Sequence, residues 1–249
     1  MTTAGHPLAG GLPEPWAAEW GGDFYGPFMS FAVGDVVQRM RWVPAGKFMM
    51  GSPEGEAGRY DDERLHLVVL RQGFWLADTP CTQALWQAVM GNNPSEYQSP
   101  DRPVENVSWY DCQVFLRELN RLIPGLETRL PTEAEWEYAC RGGTTMATWV
   151  GDLDIRGENN APVLNDIAWY GGNSGVGYEL AEGWDSSRWP NKQYPHTKAG
   201  TRPVARKLPN PLGLFDMLGN VYEWCKDWYG PYDDVPVMEP YGPRTGSDR

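Results

Sequence analysis

Apolar and polar residues alternate most clearly in the first third of the chain. Residues 36–43 follow a short apolar run at 31–33, and Gly34-Asp35 between the two runs is typical of a hairpin turn. Two more apolar runs, 66–70 and 73–77, have the length and composition of strands. The pattern therefore predicts several short strands in this part of the chain.

Three segments that follow these strands have apolar residues at helical spacing. The first helix is predicted from the N-cap Thr82 to Gly91, which suits the left-handed conformation that closes a helix. The second begins after Ser108 and presents an apolar stripe to the core. The third is the best specified, because Thr132-Glu-Ala-Glu135 is a capping box and Gly142-Gly143 ends the helix.

Regular patterns fade after the third helix. The stretch 144–202 has the composition of loops, and the 29 Gly and 22 Pro of the whole chain favour a loop-rich fold. Because there is no repeat and no linker, we predict one α+β domain with short strands, about three helices and little other regular structure. So long a loop region needs additional stabilising interactions, for which bound ions and aromatic packing are the candidates. We expect residues 1–30 to form an irregular lead-in packed on the domain through Trp16 and Trp20.

Charge and hydropathy exclude some classes of partner. The formal net charge of -12 argues against nucleic acid, whose phosphates require clustered Lys and Arg. No apolar run approaches the roughly 18 to 20 residues needed to span a bilayer, so no membrane partner is expected. The first residues have neither a basic nor an apolar signal region, which predicts a cytoplasmic location.

The residues that most often carry chemistry are scattered. Four cysteines, at positions 81, 112, 140 and 225, have no close pair, so they match neither a redox motif nor a zinc knuckle. In a reducing compartment they are best explained as partly buried thiols. The three histidines have no paired spacing for iron or zinc, and no nucleophile elbow or phosphate loop is present.

Two tryptophan-rich segments are more specific than any of these patterns. One is 129–143, Arg-Leu-Pro-Thr-Glu-Ala-Glu-Trp-Glu-Tyr-Ala-Cys-Arg-Gly-Gly, and the other is 210–229, which contains Asp-Met-Leu-Gly-Asn-Val-Tyr-Glu-Trp-Cys-Lys-Asp-Trp-Tyr. Together they resemble the formylglycine-generating enzyme, or sulfatase-modifying factor, family, from about Arg41 onward. The resemblance implies an elaborated C-type-lectin-like fold, with residues 31–249 as a sulfatase-modifying-factor-like domain.

The resemblance also implies cofactors. Enzymes of this family oxidise a protein cysteine to formylglycine with molecular oxygen and copper held by two cysteine thiolates. The segment Gly-Asn-x-x-Glu-Trp is similar to one that binds a structural calcium ion in the family, which assigns calcium to Asn220, the Val221 carbonyl and Glu223. A second calcium site would fall at 165–167, where the chain departs from the family pattern.

The copper site is where this chain departs most from the family. In the family the two cysteines follow an Arg-Gly-Gly-Ser motif, and neither that motif nor the pair occurs here; residues 242–249 resemble only the lead-in to it. We therefore expect the domain to be C-terminally incomplete and inactive as it stands. Copper is expected only if a missing C-terminal segment carries the pair.

Function remains open among three classes. The first is a formylglycine-generating oxidase. The second is a non-catalytic ligand-binding module, since the same fold serves as the ligand-displaying variable protein of diversity-generating retroelements; its partner would be a protein or peptide. The third is a related oxidoreductase of the pyoverdine-maturation or ergothioneine-synthesis kind, and the latter would need an iron-binding histidine domain as well. The resemblance does not choose among them, because function belongs to the site and not to the fold. Oligomeric state is also left open.

Overall fold

The computed structural model describes residues 13–232, 235–243 and 245–246. The strands in these ranges are β1 (Glu19–Asp23), β2 (Gly26–Val33), β3 (Val36–Val43), β4 (Gly46–Met50), β5 (His66–Leu70), β6 (Phe74–Ala77), β7 (Trp184–Asp185), β8 (Lys198–Ala199) and β9 (Val237–Met238). The helices are α1 (Gln83–Met90), α2 (Trp109–Leu122) and α3 (Glu133–Arg141), with a 3-10 turn at Pro162–Leu164. The prediction of an α+β fold with short strands and three helices is confirmed.

The strands form one larger sheet and two smaller ones. The four-stranded sheet has the order β1-β2-β3-β6 and is antiparallel throughout, with Met29 opposite Met40. In the three-stranded sheet β4 pairs with β5 in antiparallel orientation, and β9, from near the end of the chain, adds to β5 in parallel. The pair β7-β8 lies within the loop-rich part. The hairpin predicted at Gly34-Asp35 joins β2 to β3.

The main apolar core lies between the four-stranded sheet and helices α1 and α2. Trp86 of α1 stacks on Phe115 of α2 with ring centroids 5.0 Å apart and planes 2° from parallel. Phe31 of the sheet and Leu119 of α2 are buried in the same cluster. Since large aromatics bury much area per residue, a few of them hold two short helices against the sheet.

The helices begin and end where their sequences predict. Ser108 and Thr132 both form complete capping boxes, in which the cap hydroxyl accepts from the N3 amide and the N3 carboxylate accepts from the cap amide. Gly91 and Gly142 end α1 and α3 with φ of 77° and 55°, a region that glycine enters without steric cost. Among the described residues, no helix is both long and apolar enough to cross a membrane.

The prediction that residues 1–30 form an irregular lead-in is wrong for residues 19–30. Residues 1–12 lie outside the described residues, but β1 and the first residues of β2 form a regular antiparallel ladder within 19–30. The two glycines of β1 hid the strand, because glycine usually weakens a strand pattern. A Cβ on Gly21 would lie only 3.1 Å from the ring of Phe28, so the glycine makes room for this cross-strand neighbour. Trp16 packs as expected, edge-on to Trp75.

The loop-rich part is fastened by buried polar side chains, of which Asn210 is the most connected. Its Nδ2 donates to the carbonyl oxygens of Ala139 (2.6 Å) and Cys140 (3.1 Å), two carbonyls at the end of α3. Its Oδ1 accepts from the amides of Leu212 (3.0 Å) and Leu214 (3.1 Å). One amide side chain therefore caps the helix and shapes the loop that packs beneath it.

Asn173 and His196 also bind groups of the loop-rich part, in the stretch that precedes Asn210. Asn173 Oδ1 accepts from the Tyr170 amide at 3.0 Å. His196 Nε2 lies 3.2 Å from the Gly171 carbonyl oxygen, which requires the proton on Nε2, so Nδ1 accepts from the Ser186 hydroxyl at 2.7 Å. Ser186 is fully buried and is therefore a structural partner, not an accessible nucleophile.

Candidate ligand-binding cleft

A cavity of about 780 Å³ opens beside the segment that follows the Asn210 loop. We call it the aromatic cleft, because five of its fifteen lining residues are Trp or Tyr. It is lined by Glu133, Trp136, Trp169, Tyr170, Gly171, Met217, Leu218, Gly219, Asn220, Val221, Tyr222, Glu223, Cys225, Asp227 and Tyr229. Its volume is in the range that holds a small ligand or a few residues of a peptide.

One wall of the cleft is segment 221–227, which lies within the second tryptophan-rich segment. Exposed and partly buried residues alternate along it, and Tyr222 is fully exposed. Glu223 points to the other side, where its Oε2 accepts from Trp136 Nε1 at 3.1 Å. Trp136 was predicted to pack, and it does contact the core beside α3, but it also lines the cleft.

Burial raises the pKa of the Glu223 carboxyl to about 7. Desolvation is the main cause, the indole hydrogen bond from Trp136 opposes it, and the nearby Asp216 adds to it. A carboxylate in this position gains from a cation, since a buried charge without a partner is costly.

Asn220, the second residue assigned to calcium, is already engaged with the backbone. Its Oδ1 accepts from the Arg202 amide at 2.8 Å, and its Nδ2 donates to the Arg202 carbonyl at 2.9 Å. Its φ of 72° places it in the left-handed region, where Asn is tolerated better than other side chains. The residue thus joins two distant loops whether or not an ion is present.

The calcium assignment fits the donor chemistry of these residues. The amide oxygen of Asn220, the Val221 carbonyl and the Glu223 carboxylate are hard oxygen ligands of the kind that calcium prefers. The Asn220 oxygen keeps a second lone pair beyond the one used by Arg202. The assignment to Asn220, Val221 and Glu223 remains a prediction.

The upstream segment 165–167 is fastened by a lysine. Lys207 Nζ donates to the Asn165 carbonyl, and the same ammonium lies 4.0 Å from the centre of the Trp169 ring. The guanidinium carbon of Arg202 is also close to this ring, at 4.7 Å. The chain's own cations therefore already use the face of Trp169.

Two carboxylates in the cleft were not singled out by sequence reasoning. Glu133 is the first residue of α3, and its amide donates to Asp227 Oδ1 at 2.9 Å. The Tyr232 hydroxyl donates to Glu133 Oε1 at 2.6 Å, and the Tyr229 hydroxyl donates to Asp62. Burial is the largest cause of the raised pKa of both Glu133 and Asp227. Both acids lie inside the tryptophan-rich segments, which was the available signal.

The four cysteines do not fit a copper centre. Burial raises the pKa of every one of them, to about 11 for Cys112 and about 12 for Cys140 and higher for the other two. Cys81 and Cys140 donate weak hydrogen bonds from sulfur to carbonyl oxygens, as neutral thiols do. Copper binding and cysteine nucleophilicity both require the thiolate. Among the described residues, no group of three His, Cys, Asp or Glu side chains is placed to hold a metal.

Comparison with known proteins places this geometry in context. Residues 31–247 match the family model of the sulfatase-modifying factor enzyme 1-like domain. The formylglycine-generating enzyme of Streptomyces coelicolor is 34% identical over 176 residues, which cover 67% of this chain and 46% of the enzyme. The chaperone protein LppX of Paenibacillus barcinonensis is 31% identical over 202 residues, 68% of this chain and 66% of that protein.

A solved structure is also similar. Variable protein 1 of Treponema denticola superposes with a TM-score of 0.65 and 30% identity, covering 88% of this chain and 84% of that one. In contrast, the chain spans about half the length of the formylglycine-generating enzyme that it matches. The similarity thus extends over most of the variable protein and over only part of the formylglycine-generating enzyme.

Proposed function

Because this chain belongs to the sulfatase-modifying factor enzyme 1-like domain family, we propose that it acts as a recognition domain that binds a segment of another protein in the aromatic cleft. In this proposal its four thiols take no part in chemistry. The domain contributes the shape and charge of the cleft.

The contrast between the cleft and the cysteines carries the proposal. The cleft presents exposed aromatic side chains, Tyr222 and Tyr229, next to polar groups, a combination that recurs in protein recognition. Burial raises the pKa of all four thiols, which disfavours the thiolate on which the family's oxidation depends.

The relatives support recognition as well. One of them is named a chaperone protein, and another, similar over most of its length, is named a variable protein. Neither name describes an oxidation. The comparison gives no residue of either protein a role here, so the proposal depends on the cleft.

Selection of peptides from a random displayed library would test the proposal. Peptides selected on the wild type are expected to bind Tyr222→Ala/Tyr229→Ala at least about ten-fold more weakly, since two stacking surfaces are lost. Phe24→Ala, which removes an exposed aromatic from the β1-β2 turn, is the control and should bind like the wild type. Peptides that bind all three proteins equally would contradict recognition in the cleft.

A second function, oxidation of a protein cysteine to formylglycine, is favoured by the 34% identity to the Streptomyces enzyme. The test is to incubate the 249-residue chain with copper, oxygen and a Cys-x-Pro-x-Arg peptide. On the first proposal the peptide cysteine stays intact. An aldehyde on that cysteine would establish the second function and would show that the raised pKa values of the thiols do not prevent it.

A further inference from the structure

Another cavity, of about 220 Å³, adjoins the aromatic cleft and shares four lining residues with it. We call it the second pocket. Five of its ten lining residues carry an aromatic ring: Tyr97, Trp169, Tyr170, Trp184 and Trp189. We propose that the second pocket binds a small uncharged molecule that consists of a flat aromatic ring and a hydrogen-bond acceptor, such as an amide carbonyl. The inference does not rest on the proposed function, because neither Tyr222 nor Tyr229 lines this pocket.

The size and the walls of the second pocket suit an aromatic ring. Trp184 is 61% exposed and Tyr97 only 5%, so the pocket extends from the solvent to the buried part of the domain. An apolar cavity of about 150 Å³ holds benzene. The second pocket therefore has room for such a ring together with a short polar substituent, and its own rings offer the surface on which the ligand ring packs.

Two polar atoms of its lining residues have no hydrogen-bond partner among the described residues. They are Thr201 Oγ1 and Trp169 Nε1, and both are buried. Since folded proteins pair nearly all such atoms, two of them beside one cavity indicate a bound molecule. A single water takes up only about 30 Å³, and the aromatic walls offer it few further hydrogen bonds. Because an indole N–H only donates, the molecule has to carry an acceptor.

The walls of the second pocket are uncharged, since none of the ten described residues that line it is an acid, a lysine or an arginine. A charged ligand would lose its hydration there without touching a counter-charge. A cation is opposed further, because the Arg202 guanidinium carbon and Lys207 Nζ lie 4.7 Å and 4.0 Å from the centre of the Trp169 ring.

The charged groups behind these walls are engaged with other groups of the chain. Arg202 Nη1 lies 3.3 Å from Glu179 Oε2, and the Asp166 carboxylate acts on Lys207. On the side of Tyr97, the carboxylate of Glu105 accepts from the Tyr97 backbone amide at 2.9 Å. These contacts favour an uncharged ligand over either an anion or a cation.

The experiment is a titration of ¹⁵N-labelled protein followed by the indole resonance of Trp169, which the spectrum of Trp169→Phe identifies. The probes are phenylacetamide, phenylacetate and phenethylamine, which have nearly the same size but are neutral, anionic and cationic. Phenylacetamide is expected to shift the resonance saturably. Both charged probes should bind at least about ten-fold more weakly, because each would be desolvated without a counter-charge.

Thr201→Val makes the test specific, because valine keeps the shape of the side chain and removes only the hydroxyl. This variant should bind phenylacetamide about ten-fold more weakly. Without the probe its Tm should not fall below that of the wild type, since the hydroxyl makes no hydrogen bond that could be lost. Thr197→Val, which changes an exposed threonine outside the pocket, is the control and should bind like the wild type.

The outcomes also separate the two binding sites. No saturable shift, or equal binding of the neutral and charged probes, would overturn the inference, and so would a clear fall in the Tm of Thr201→Val. Tyr222→Ala/Tyr229→Ala should bind phenylacetamide like the wild type, and loss of binding there would place the probe in the aromatic cleft instead. Peptide selection on the cleft does not enter this test, so either proposal can fail without the other.

Discussion

The part of the chain up to Gly143 and the loop-rich part after it are held together by different interactions. In the first part, apolar side chains such as Phe115 and Leu119 are buried between a sheet and two helices. In the second part, amide and imidazole side chains such as Asn210 and His196 bind backbone groups that no helix or sheet satisfies. The stability of the first part therefore depends mainly on the volume of its buried side chains, and that of the second part depends mainly on hydrogen-bond geometry.

This difference bears on where function lies. The loop-rich part has few of the regular backbone hydrogen bonds that specify a surface, yet it forms most of the wall of the aromatic cleft. Because buried hydrogen bonds hold this part together, aromatic residues such as Tyr222 and Tyr229 are not buried in a core and remain exposed. Loops on a rigid scaffold commonly carry binding sites for this reason.

Phe115→Ala should have the largest effect on stability, because it removes the buried ring that stacks on Trp86. We expect a loss of about 3–5 kcal/mol in the free energy of unfolding, measured by urea denaturation followed by tryptophan fluorescence. Leu119→Met conserves volume and should cost less than about 1.5 kcal/mol. Similar costs for the two variants would show that volume does not govern this part.

Asn210→Leu should come next. The new side chain has similar volume, but four backbone groups lose their partner. Each group that stays buried and unsatisfied costs about 1–3 kcal/mol. Circular dichroism during thermal unfolding would measure it, with the exposed Asn92→Leu as control. If Asn210→Leu were neutral, apolar packing would suffice in the loop-rich part too, and the comparison between the two parts would fail.

These two parts were not equally predictable from sequence. The capping box of α3 was predictable, because Thr132 and Glu135 lie three positions apart and their hydrogen bonds are local. The hydrogen bond between the Glu133 amide and Asp227 was not predictable from sequence, since 94 positions separate the two residues and no periodic pattern indicates such a contact. The β1 strand was missed because its register depends on β2, and its glycines resemble a turn.

Calcium should stabilise the loop-rich part if Asn220, Val221 and Glu223 hold it. At about one hundred times its dissociation constant, the ion would add about 2.7 kcal/mol, which corresponds to a rise of about 5–10 °C in Tm for a chain of this size. Glu223→Gln should abolish the rise, and magnesium should not replace calcium because it favours smaller, more regular sites. An equal rise in the variant would place the calcium elsewhere.

The smallest effect concerns pH and His196. Burial, followed by the nearby Lys192 charge, lowers the pKa of His196 below its ordinary 6.5 in the folded state. The contribution of His196 to the free energy of unfolding is therefore fully present above pH 6.5. It declines as the pH falls below this value, because the unfolded chain takes up the proton at a higher pH than the folded chain does. Urea denaturation of His196→Gln at several pH values should lack this part of the decline. An unchanged pH profile would mean that His196 does not contribute.

On our proposal, the domain recognises its partner through the aromatic cleft and not through its thiols. The most direct measurement is the calorimetric affinity of one library-selected peptide for the wild type, for Tyr222→Ala/Tyr229→Ala and for a cysteine-free variant. In that variant Cys81, Cys112 and Cys140 are replaced by alanine, and Cys225, which lines the cleft, is replaced by the similarly sized serine. The cysteine-free protein, checked for folding by circular dichroism, should bind like the wild type, and the cleft variant should lose at least about ten-fold. Loss of binding in the folded cysteine-free protein, with full binding by the cleft variant, would contradict the account.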